Sequence, residues 1–403
     1  DGSNVKIPVR EGERIAGQLK PLQVSNGKMV FTSVVANRSV NIYSTNWINP
    51  HPDKKIASVT IRASKQKVIP VLIILEGLAG VIKPSAGRKD TDKVQVSINM
   101  LKKIRPVRNG LFAMNCPYIF KVENGKYSGL LPKFKFSQIR IWNRLHPGKK
   151  WTEPAATELL KYGRMGRAVS ESGKTGIMLN LFGDIPKWIM TSPAPGKFTG
   201  RFCDWYVRLL DYYVNEMKWP VIAVELFNER LIGHPAEESR VRYAYFNALA
   251  VAIKRKFPQI RIGGITACWP DLKILEQFTA ACGGNLDILT WHLYATGKSS
   301  TDTMVLLRRS GYVADISRKI AAMLQKRVPG RKIAQAITEF NLNYAAWATP
   351  VDLRQVTGDG AVWVMSVLRH LLYDGEVESA FYWHYWGGST YGIFDRNGTI
   401  RPN

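Results

Sequence analysis

The sequence predicts a (β/α)8 barrel that follows a smaller β-rich domain. Three observations support this prediction: a length of 403 residues with 45% apolar content, a change of pattern near residue 110, and a series of strand candidates beyond it. The length exceeds that of most single domains, and the apolar fraction suffices for a full core. Beyond residue 110, short apolar runs alternate with amphipathic stretches, which is typical of strand-helix units around a parallel sheet.

Eight strand candidates lie in this second part of the chain, and eight strands close such a barrel. They cover residues 111–115, 138–142, 176–181, 221–226, 260–265, 286–291, 332–338 and 379–383. Stretches between them repeat apolar residues with a period near 3.6, which predicts helices over residues 153–171, 201–217, 237–257, 272–281, 315–327 and 360–373. We expect two departures from an ideal barrel. Residues 116–137 form a long loop instead of the first helix, and no eighth helix follows the last strand.

Residues 1–109 are predicted to form a β-rich, jelly-roll-like accessory domain that ends in a basic linker, and residues 110–403 form the barrel. Short β-type runs at residues 28–35, 56–63 and 68–75 alternate with Asn, Gly and Pro turn signals. The stretch of residues 47–62 resembles the end of a jelly-roll module. We therefore place the domain boundary after residue 109.

The net charge is high, because 57 Lys and Arg against 31 Asp and Glu leave a formal charge of +26. Residues 1–109 hold 19 of the basic and 7 of the acidic residues, so the first domain is disproportionately basic. A field of this sign attracts polyanions. We do not expect nucleic acid as the partner, because no helix-turn-helix, zinc-finger or RNP signature accompanies the charge. Another polyanion and a general basicity that aids solubility both stay open.

Signals for membranes and for redox compartment are few. No run of about 18 apolar residues occurs, so we expect no membrane-spanning segment. The four cysteines form no CxxC pair and predict core thiols or at most one or two disulfides. The chain begins at Asp1 without a leader, so either a signal segment has been removed or the sequence starts there. We expect a secreted, periplasmic or cell-surface protein, and the sequence leaves the oligomeric state open.

Two glutamates stand at the C-terminal ends of strand candidates four and seven. Glu229 ends the stretch Val-Glu-Leu-Phe-Asn-Glu at residues 224–229, and Glu339 lies in Ala-Ile-Thr-Glu-Phe-Asn at residues 336–341. Although they are far apart in the sequence, side chains at these strand ends converge on one mouth of a barrel. Glycoside hydrolysis requires such a pair: one group protonates the leaving oxygen, and one carboxylate stabilises or attacks the anomeric carbon.

Further polar and aromatic residues accompany this pair, and together they resemble clan A of the glycoside hydrolases. The resemblance rests on the two glutamates and on Arg140, Asn228, His292, Tyr294 and Trp383 at or near strand ends. The spacing is most similar to family 39, which includes xylosidases, iduronidases and exopolysaccharide hydrolases. It covers residues 110–402 and implies a (β/α)8 barrel. One departure leaves the substrate open: Arg230 and Leu231 follow Glu229, where the family usually has a proline.

The resemblance implies a retaining mechanism in which Glu229 is the general acid/base and Glu339 the nucleophile. Asn228 would hydrogen-bond the 2-hydroxyl group of the sugar. Arg140 would hold Glu339 ionised, because a nearby cation lowers the pKa of a carboxyl group. Each residue also has an ordinary structural interpretation. An Asn-Glu pair often caps a helix, and an arginine at a barrel mouth often forms a simple ion pair.

Aromatic residues would complete the substrate pocket. The resemblance implies that His292 and Tyr294 line it, with Tyr294 able to donate to Glu339. Trp383 would form the floor beneath the sugar at the cleaved bond, where an aromatic face packs against C–H groups. Trp386 is a further candidate for substrate binding, and packing alone would also explain both tryptophans. Residues with weaker signals at the rim are Asn143, Trp188, Trp269 and His384.

These residues predict a retaining O-glycosyl hydrolase that acts on a poly- or oligosaccharide, and the charge favours an anionic, uronate- or sulfate-bearing one. A metal-dependent hydrolase is not expected, because the six histidines are isolated and neither HxH nor HExxH occurs. We expect no cofactor, because neither GxGxxG nor GxxxxGK[ST] occurs. The alternatives are a hydrolase of a neutral glycan and a catalytically silent polysaccharide-binding barrel.

Overall fold

A computed structural model describes five strands within the first 100 residues and most of the chain from residue 109 onward. The described residues are 28–35, 38–44, 58–62, 81–84, 95–99, 109–116, 136–143, 145–152, 175–181, 185–229, 236–373, 375–388, 390–395 and 401. The chain divides into two compact units, Asp1–Val107 and Arg108–Asn403.

The described part of the first unit consists of antiparallel strands. Strands β1 (Lys28–Val35) and β2 (Arg38–Ser44) form a two-stranded sheet. Strands β3 (Ser58–Arg62), β4 (Val81–Pro84) and β5 (Gln95–Asn99) form a second sheet in which β5 lies in the middle. Residues 68–75, which were predicted as a strand, lie outside the described residues. The jelly-roll assignment stays a prediction.

The second unit contains a closed barrel of eight parallel strands, so the predicted (β/α)8 fold is confirmed. Strand β13 pairs with both β12 and β6 and thereby closes the barrel. The barrel strands are β6 (Ala113–Cys116), β7 (Gln138–Asn143), β8 (Gly176–Leu181), β9 (Val221–Leu226), β10 (Arg261–Ala267), β11 (Ile288–Thr296), β12 (Ala334–Asn343) and β13 (Ser379–Tyr382).

Helices alternate with these strands in the described residues. Five match predicted helices, whereas two short ones, α1 and α5, were not predicted, because they are too short for a helical apolar period to stand out. The predicted helix at residues 153–171 lies outside the described residues. The helices are α1 (Lys187–Met190), α2 (Thr199–Asp211), α3 (Ala236–Lys256), α4 (Leu272–Cys282), α5 (Thr303–Arg309), α6 (Tyr312–Arg327) and α7 (Gly358–Tyr373).

In the described residues, the end of the barrel differs from a regular strand-helix unit. Two short parallel strands, β14 (Trp386–Gly388) and β15 (Phe394–Asp395), follow β13, and the described residues after β13 contain no helix. Most of the predicted loop at residues 116–137 lies outside the described residues. No helix in the described part of the chain is long and apolar enough to cross a membrane. The four cysteines are free thiols.

Two strands extend five residues beyond the apolar runs that predicted them. Strands β11 and β12 continue to Thr296 and Asn343, past polar residues that include His292 and Glu339. Prediction from apolar runs ends a strand where its side chains become polar. Here those polar side chains are buried against one another, so the strand ladder continues to the barrel mouth.

The interior of the barrel changes from apolar to polar along the strands. One apolar layer consists of six buried side chains: Ala113, Met178, Ala223, Ile288, Ala336 and Phe381. Side chains two positions apart on a strand face the same side, so the next residues on four of these strands also point inward. Those residues are Asn115, Asn180, Glu225 and Thr338, and all four are buried. The fold therefore places a polar layer directly beneath the C-terminal mouth.

Candidate active site

The polar layer is centred on Arg140, whose side chain is fully buried. Its Nε donates to Glu225 Oε2 at 2.6 Å, and one terminal nitrogen donates to Glu339 Oε1 at 2.9 Å and to Asn115 Oδ1 at 3.0 Å. The other terminal nitrogen donates to Asn228 Oδ1 at 2.7 Å. Four residues therefore share one guanidinium group: Asn115 on β6, Glu225 on β9, Asn228 just after β9, and Glu339 on β12. This planar fork of donors is rigid, so it fixes its acceptors relative to one another.

Glu225 is the permanent counter-charge of Arg140. It is fully buried, and its Oε2 also accepts from Asn180 Nδ2 at 2.6 Å. Burial raises the pKa of the Glu225 carboxyl, but Arg140 and the Asn180 hydrogen bond outweigh this and place the pKa below its ordinary value. Burial lowers the pKa of Arg140, but the negative charges of Glu225 and Glu339 raise it by more. The net pKa lies above its ordinary value, so the guanidinium stays charged.

Glu339 lies on β12 between Arg140 and Tyr294. Its side chain is 6% exposed, and the Tyr294 hydroxyl donates to Glu339 Oε2 at 2.9 Å. Burial raises the pKa of the Glu339 carboxyl above its ordinary value. Arg140 and the Tyr294 hydrogen bond act in the opposite direction, as the sequence predicted for Arg140, but they do not reverse the shift. Burial raises the pKa of Tyr294, so its hydroxyl remains protonated and able to donate.

Glu229 lies at a strained turn after β9. Phe227 and Glu229 have φ angles of 71° and 57°, in the left-handed region that costs a residue other than glycine about 1 kcal/mol or more. Three hydrogen bonds hold the turn: Asn180 Nδ2 and Thr266 Oγ1 donate to the Phe227 carbonyl, and the Glu229 amide donates to the Thr266 carbonyl. The surrounding strands therefore hold Glu229 in a fixed place at the mouth.

The two glutamates and His292 face one another. His292 Nδ1 lies 2.7 Å from Glu229 Oε1, and its Nε2 lies 3.6 Å from Glu339 Oε1. One oxygen of each carboxylate and a ring nitrogen of His292 lie within 4.8 Å of one another. The environments of the carboxylates differ, because the Glu229 side chain is 40% exposed and the Glu339 side chain 6%. One carboxylate is thus open to solvent and the other is enclosed.

The same three residues offer the ligand types of a metal site. Several of the atoms that would bind a metal already have hydrogen-bond partners, although the buried His292 Nε2 has none among the described residues. Both oxygens of Glu339 accept from Arg140 or Tyr294, and His292 Nδ1 pairs with Glu229. A guanidinium at 2.9 Å from a carboxylate also repels a cation at that carboxylate. The hydrogen bonding of Glu339 therefore disfavours a metal ion at this carboxylate.

The remaining predicted residues have different positions. Trp383 is 8% exposed and lies at the end of β13, with its ring 5.1 Å from that of Trp142. The backbone of Trp386 lies in β14, and its side chain is outside the described residues. Asn143 accepts from the Tyr213 hydroxyl at 3.0 Å and supports the end of β7. His384 is buried, whereas Trp269 is 48% exposed after β10.

Sequence reasoning missed all four residues that define the polar layer, and three of them, Asn115, Asn180 and Glu225, form hydrogen bonds around Arg140. Each contacts Arg140 or Glu225 directly. The signal that could have found them is their position, because each stands two places after an apolar interior residue of its strand. Trp142, next to Trp383, was missed for a similar reason. It lies within a strand whose inward positions were not assigned.

Comparison with known proteins gives similarity in structure only. No family model and no curated protein matches the sequence. A monomeric β-xylosidase from Caulobacter crescentus CB15 is 18% identical, with a TM-score of 0.54 over 74% of this chain and 67% of that one. The GH39 enzyme from Xanthomonas axonopodis pv. citri has the same identity and TM-score over 74% of this chain and 65% of that one.

A third neighbour, the Ignisphaera aggregans GH53 catalytic domain, is 14% identical, with a TM-score of 0.51 over 74% of this chain and 96% of that one. This chain thus matches about two thirds of the length of the two Caulobacter and Xanthomonas proteins and almost all of the GH53 domain. The neighbours belong to clan A, in agreement with the resemblance seen in the sequence. In its fold, the chain is similar to clan A glycoside hydrolases, and GH39 enzymes are among its structural neighbours.

Proposed function

We propose that the chain is a retaining glycoside hydrolase in which Glu229 is the general acid/base and Glu339 the nucleophile. The observation that carries the proposal is the pair of carboxylates at the mouth, whose closest oxygens lie within 4.8 Å. Retaining enzymes hold their carboxyl groups about 5–5.5 Å apart, whereas inverting enzymes hold them about 6.5–9.5 Å apart to admit a water. The separation supports retention.

The two environments suit the two roles. In the first step Glu229 protonates the leaving glycosidic oxygen while Glu339 attacks the anomeric carbon, so the C–O bond breaks and an ester bond to Glu339 forms. In the second step Glu229 takes a proton from water, the water oxygen attacks the same carbon, and Glu339 is released. After the first step Glu229 is a carboxylate, and because its side chain is 40% exposed, water can reach it for the second step.

Neighbouring residues keep Glu339 ready to react. Arg140 and Tyr294 occupy one oxygen each and so fix the orientation of the carboxylate. The raised pKa makes Glu339 a stronger base than an ordinary carboxylate and hence a better nucleophile once ionised. His292 pairs with Glu229 and fixes its position. Trp383 and Trp142 offer aromatic faces for the sugar at the cleaved bond.

The substrate that we propose is an anionic poly- or oligosaccharide, which the net charge of +26 favours. One neighbour is named as a xylosidase, and a neutral glycan is the corresponding alternative. We further propose that the protein acts outside the cytoplasm, where such polymers are found. A catalytically silent barrel that only binds polysaccharide is the alternative from another functional class.

The experiment is a screen of acidic and neutral polysaccharides with mass analysis of the products. The purified chain should release shorter products from at least one polymer. Glu229→Gln and Glu339→Gln should each lower turnover by about 10²-fold or more. The matched control is Glu376→Gln, an exposed glutamate before β13, which should stay within about twofold of the wild type. Binding without turnover, or equal turnover in all variants, would refute the proposal.

A further inference from the structure

A cavity opens between the loops that follow β7 and β8, and we call it the β7–β8 cavity. It is lined by residues 146–148 from the first loop and by residues 186–188 and Thr191 from the second. Its volume is about 520 Å³, within the usual range of small-molecule sites. Among the site residues predicted from the sequence, only the rim candidate Trp188 lines this cavity, and the proposed catalytic residues do not.

The β7–β8 cavity lies at the same mouth of the barrel as the two glutamates. Strands β7 and β8 are neighbours, with Asn143 opposite Leu181 at their C-terminal ends, and both loops begin there. Aromatic rings mark a route between the two places. Trp383 contacts Trp142 at 5.1 Å, and Trp142 stands four residues before His146 of the cavity lining. A glycan that extended from Trp383 past Trp142 would run toward the loop after β7, which lines the cavity.

One wall of the β7–β8 cavity is a fixed aromatic surface. The ring of Trp188 packs edge-on against Trp151 at 5.4 Å and against Phe198 at 5.3 Å. Such packing holds the indole in one orientation without covering it, and Trp188 is part of the cavity lining. A flat apolar wall of this kind is suited to the C–H face of a sugar ring.

Basic residues predominate in the described stretches beside the β7–β8 cavity, up to Asp204. The described stretches 145–152 and 185–203 contain five basic residues, Lys149, Lys150, Lys187, Lys197 and Arg201, and no aspartate or glutamate. Arg201 lies over the Trp151 ring at 5.3 Å and Lys197 over the Phe198 ring at 5.0 Å, so cations also lie on the rings that support Trp188. Lys187 belongs to the lining itself. A neutral sugar cannot form ion pairs with these basic residues, whereas an anionic sugar gains charge-assisted hydrogen bonds with them.

We infer that the β7–β8 cavity binds an acidic sugar residue of the substrate, near the cleaved bond but not at it. The inference rests on the proposed function and specifies where the acidic group of the substrate is recognised. Trp188 would contact the sugar ring, and Lys149, Lys150 and Lys187 would contact the carboxylate or sulfate group. Selectivity for acidic glycans then comes from this cavity and not from the basic first domain.

The test is calorimetric binding of uronate tetrasaccharides to the full chain carrying Glu339→Gln, with the carboxyl-reduced tetrasaccharides as neutral probes. The cavity variant combines Lys149→Gln, Lys150→Gln and Lys187→Gln. Its matched control combines Lys319→Gln, Lys326→Gln and Lys332→Gln, which remove the same charge from exposed lysines on and after α6. The cavity variant should weaken binding of the uronate probe about tenfold or more, and the control less than about twofold.

Each other outcome has a definite meaning. Equal loss in the two triple variants would mean that general charge attracts the glycan, and would overturn the inference. Equal affinity for acidic and reduced probes, or no binding of either, would also overturn it. Trp188→Ala should weaken both probes, because it removes the ring contact. Selective binding of uronate by a wild-type chain that hydrolyses no glycan would refute only the proposed function.

Discussion

Replacement of Glu225 by glutamine should destabilise the barrel far more than the same change in an exposed ion pair. Glutamine has the size of glutamate, so packing is kept while the counter-charge of Arg140 is lost. The Arg140 and Glu225 side chains are both 0% exposed and lie 2.6 Å apart. Removal of one partner from a buried pair typically costs about 3–5 kcal/mol, because the other charge stays buried. In the variant Arg140 still has Glu339 as a counter-charge. We therefore expect the free energy of unfolding to fall by about 3 kcal/mol, the lower end of this range.

The matched control is Glu378→Gln, which breaks the ion pair with Arg261 at the opposite end of the barrel. Those side chains are 44% and 37% exposed, and exposed pairs contribute about 0–1 kcal/mol. A loss of about 3 kcal/mol lowers the melting temperature of a large domain by roughly 6–12 °C. Calorimetry at pH 7 should therefore show a drop of this size for Glu225→Gln and a change of about 3 °C or less for Glu378→Gln.

The pH dependence gives a second check on the same pair. The pKa of Glu225 is lowered in the folded state, so its contribution to stability is present above the unfolded-state pKa of about 4.3 and is lost as the pH falls through the folded-state value. The difference in melting temperature between wild type and Glu225→Gln should thus be complete at pH 7 and shrink below about pH 4. Equal effects of Glu225→Gln and Glu378→Gln at pH 7 would refute this reasoning.

Three further predictions address the site and the barrel. Tyr294→Phe removes a donor to the Glu339 carboxylate, so the acid limb of kcat/KM should move to higher pH, and an unchanged limb would contradict the contact. Dialysis against EDTA should leave activity unchanged, because both oxygens of Glu339 already accept hydrogen bonds from Arg140 and Tyr294, and loss restored by a divalent ion would indicate a metal enzyme. Gly110→Ala places a Cβ 2.5 Å from the Glu378 carbonyl oxygen and should cost about 1–3 kcal/mol in thermal denaturation, whereas Gly200→Ala in α2, with nothing within 4 Å, should not destabilise.

The barrel and the two glutamates were predictable because their signals are local. Each strand has a short apolar run, and each glutamate stands just after such a run. The polar layer was only partly predictable. Arg140 was found through the resemblance. Glu225 resembles any charged residue in a strand until the barrel forms, with β8 between β7 and β9. Contacts between distant strands have no signature in a single sequence.

Other features depend on packing that no sequence pattern reports. The net direction of the Glu339 pKa is set by burial, which outweighs the attraction to Arg140 that the sequence suggested. The β7–β8 cavity arises from two loops that lie far apart in the chain and meet only because their strands are neighbours. Its basic character could be read from residues 145–152 and 185–203 only after the fold had brought them together.

Identification of the residue that becomes glycosylated would test directly whether Glu339 is the nucleophile. The Glu229→Gln chain would be incubated with an activated 2-fluoro glycoside of the sugar found in the screen, digested with trypsin and examined by mass spectrometry. If Glu339 is the nucleophile, one sugar will be added to the peptide of residues 333–354, in which Glu339 is the only glutamate. An added sugar on the peptide of residues 219–230, or complete turnover to the inverted anomer without any adduct, would contradict it.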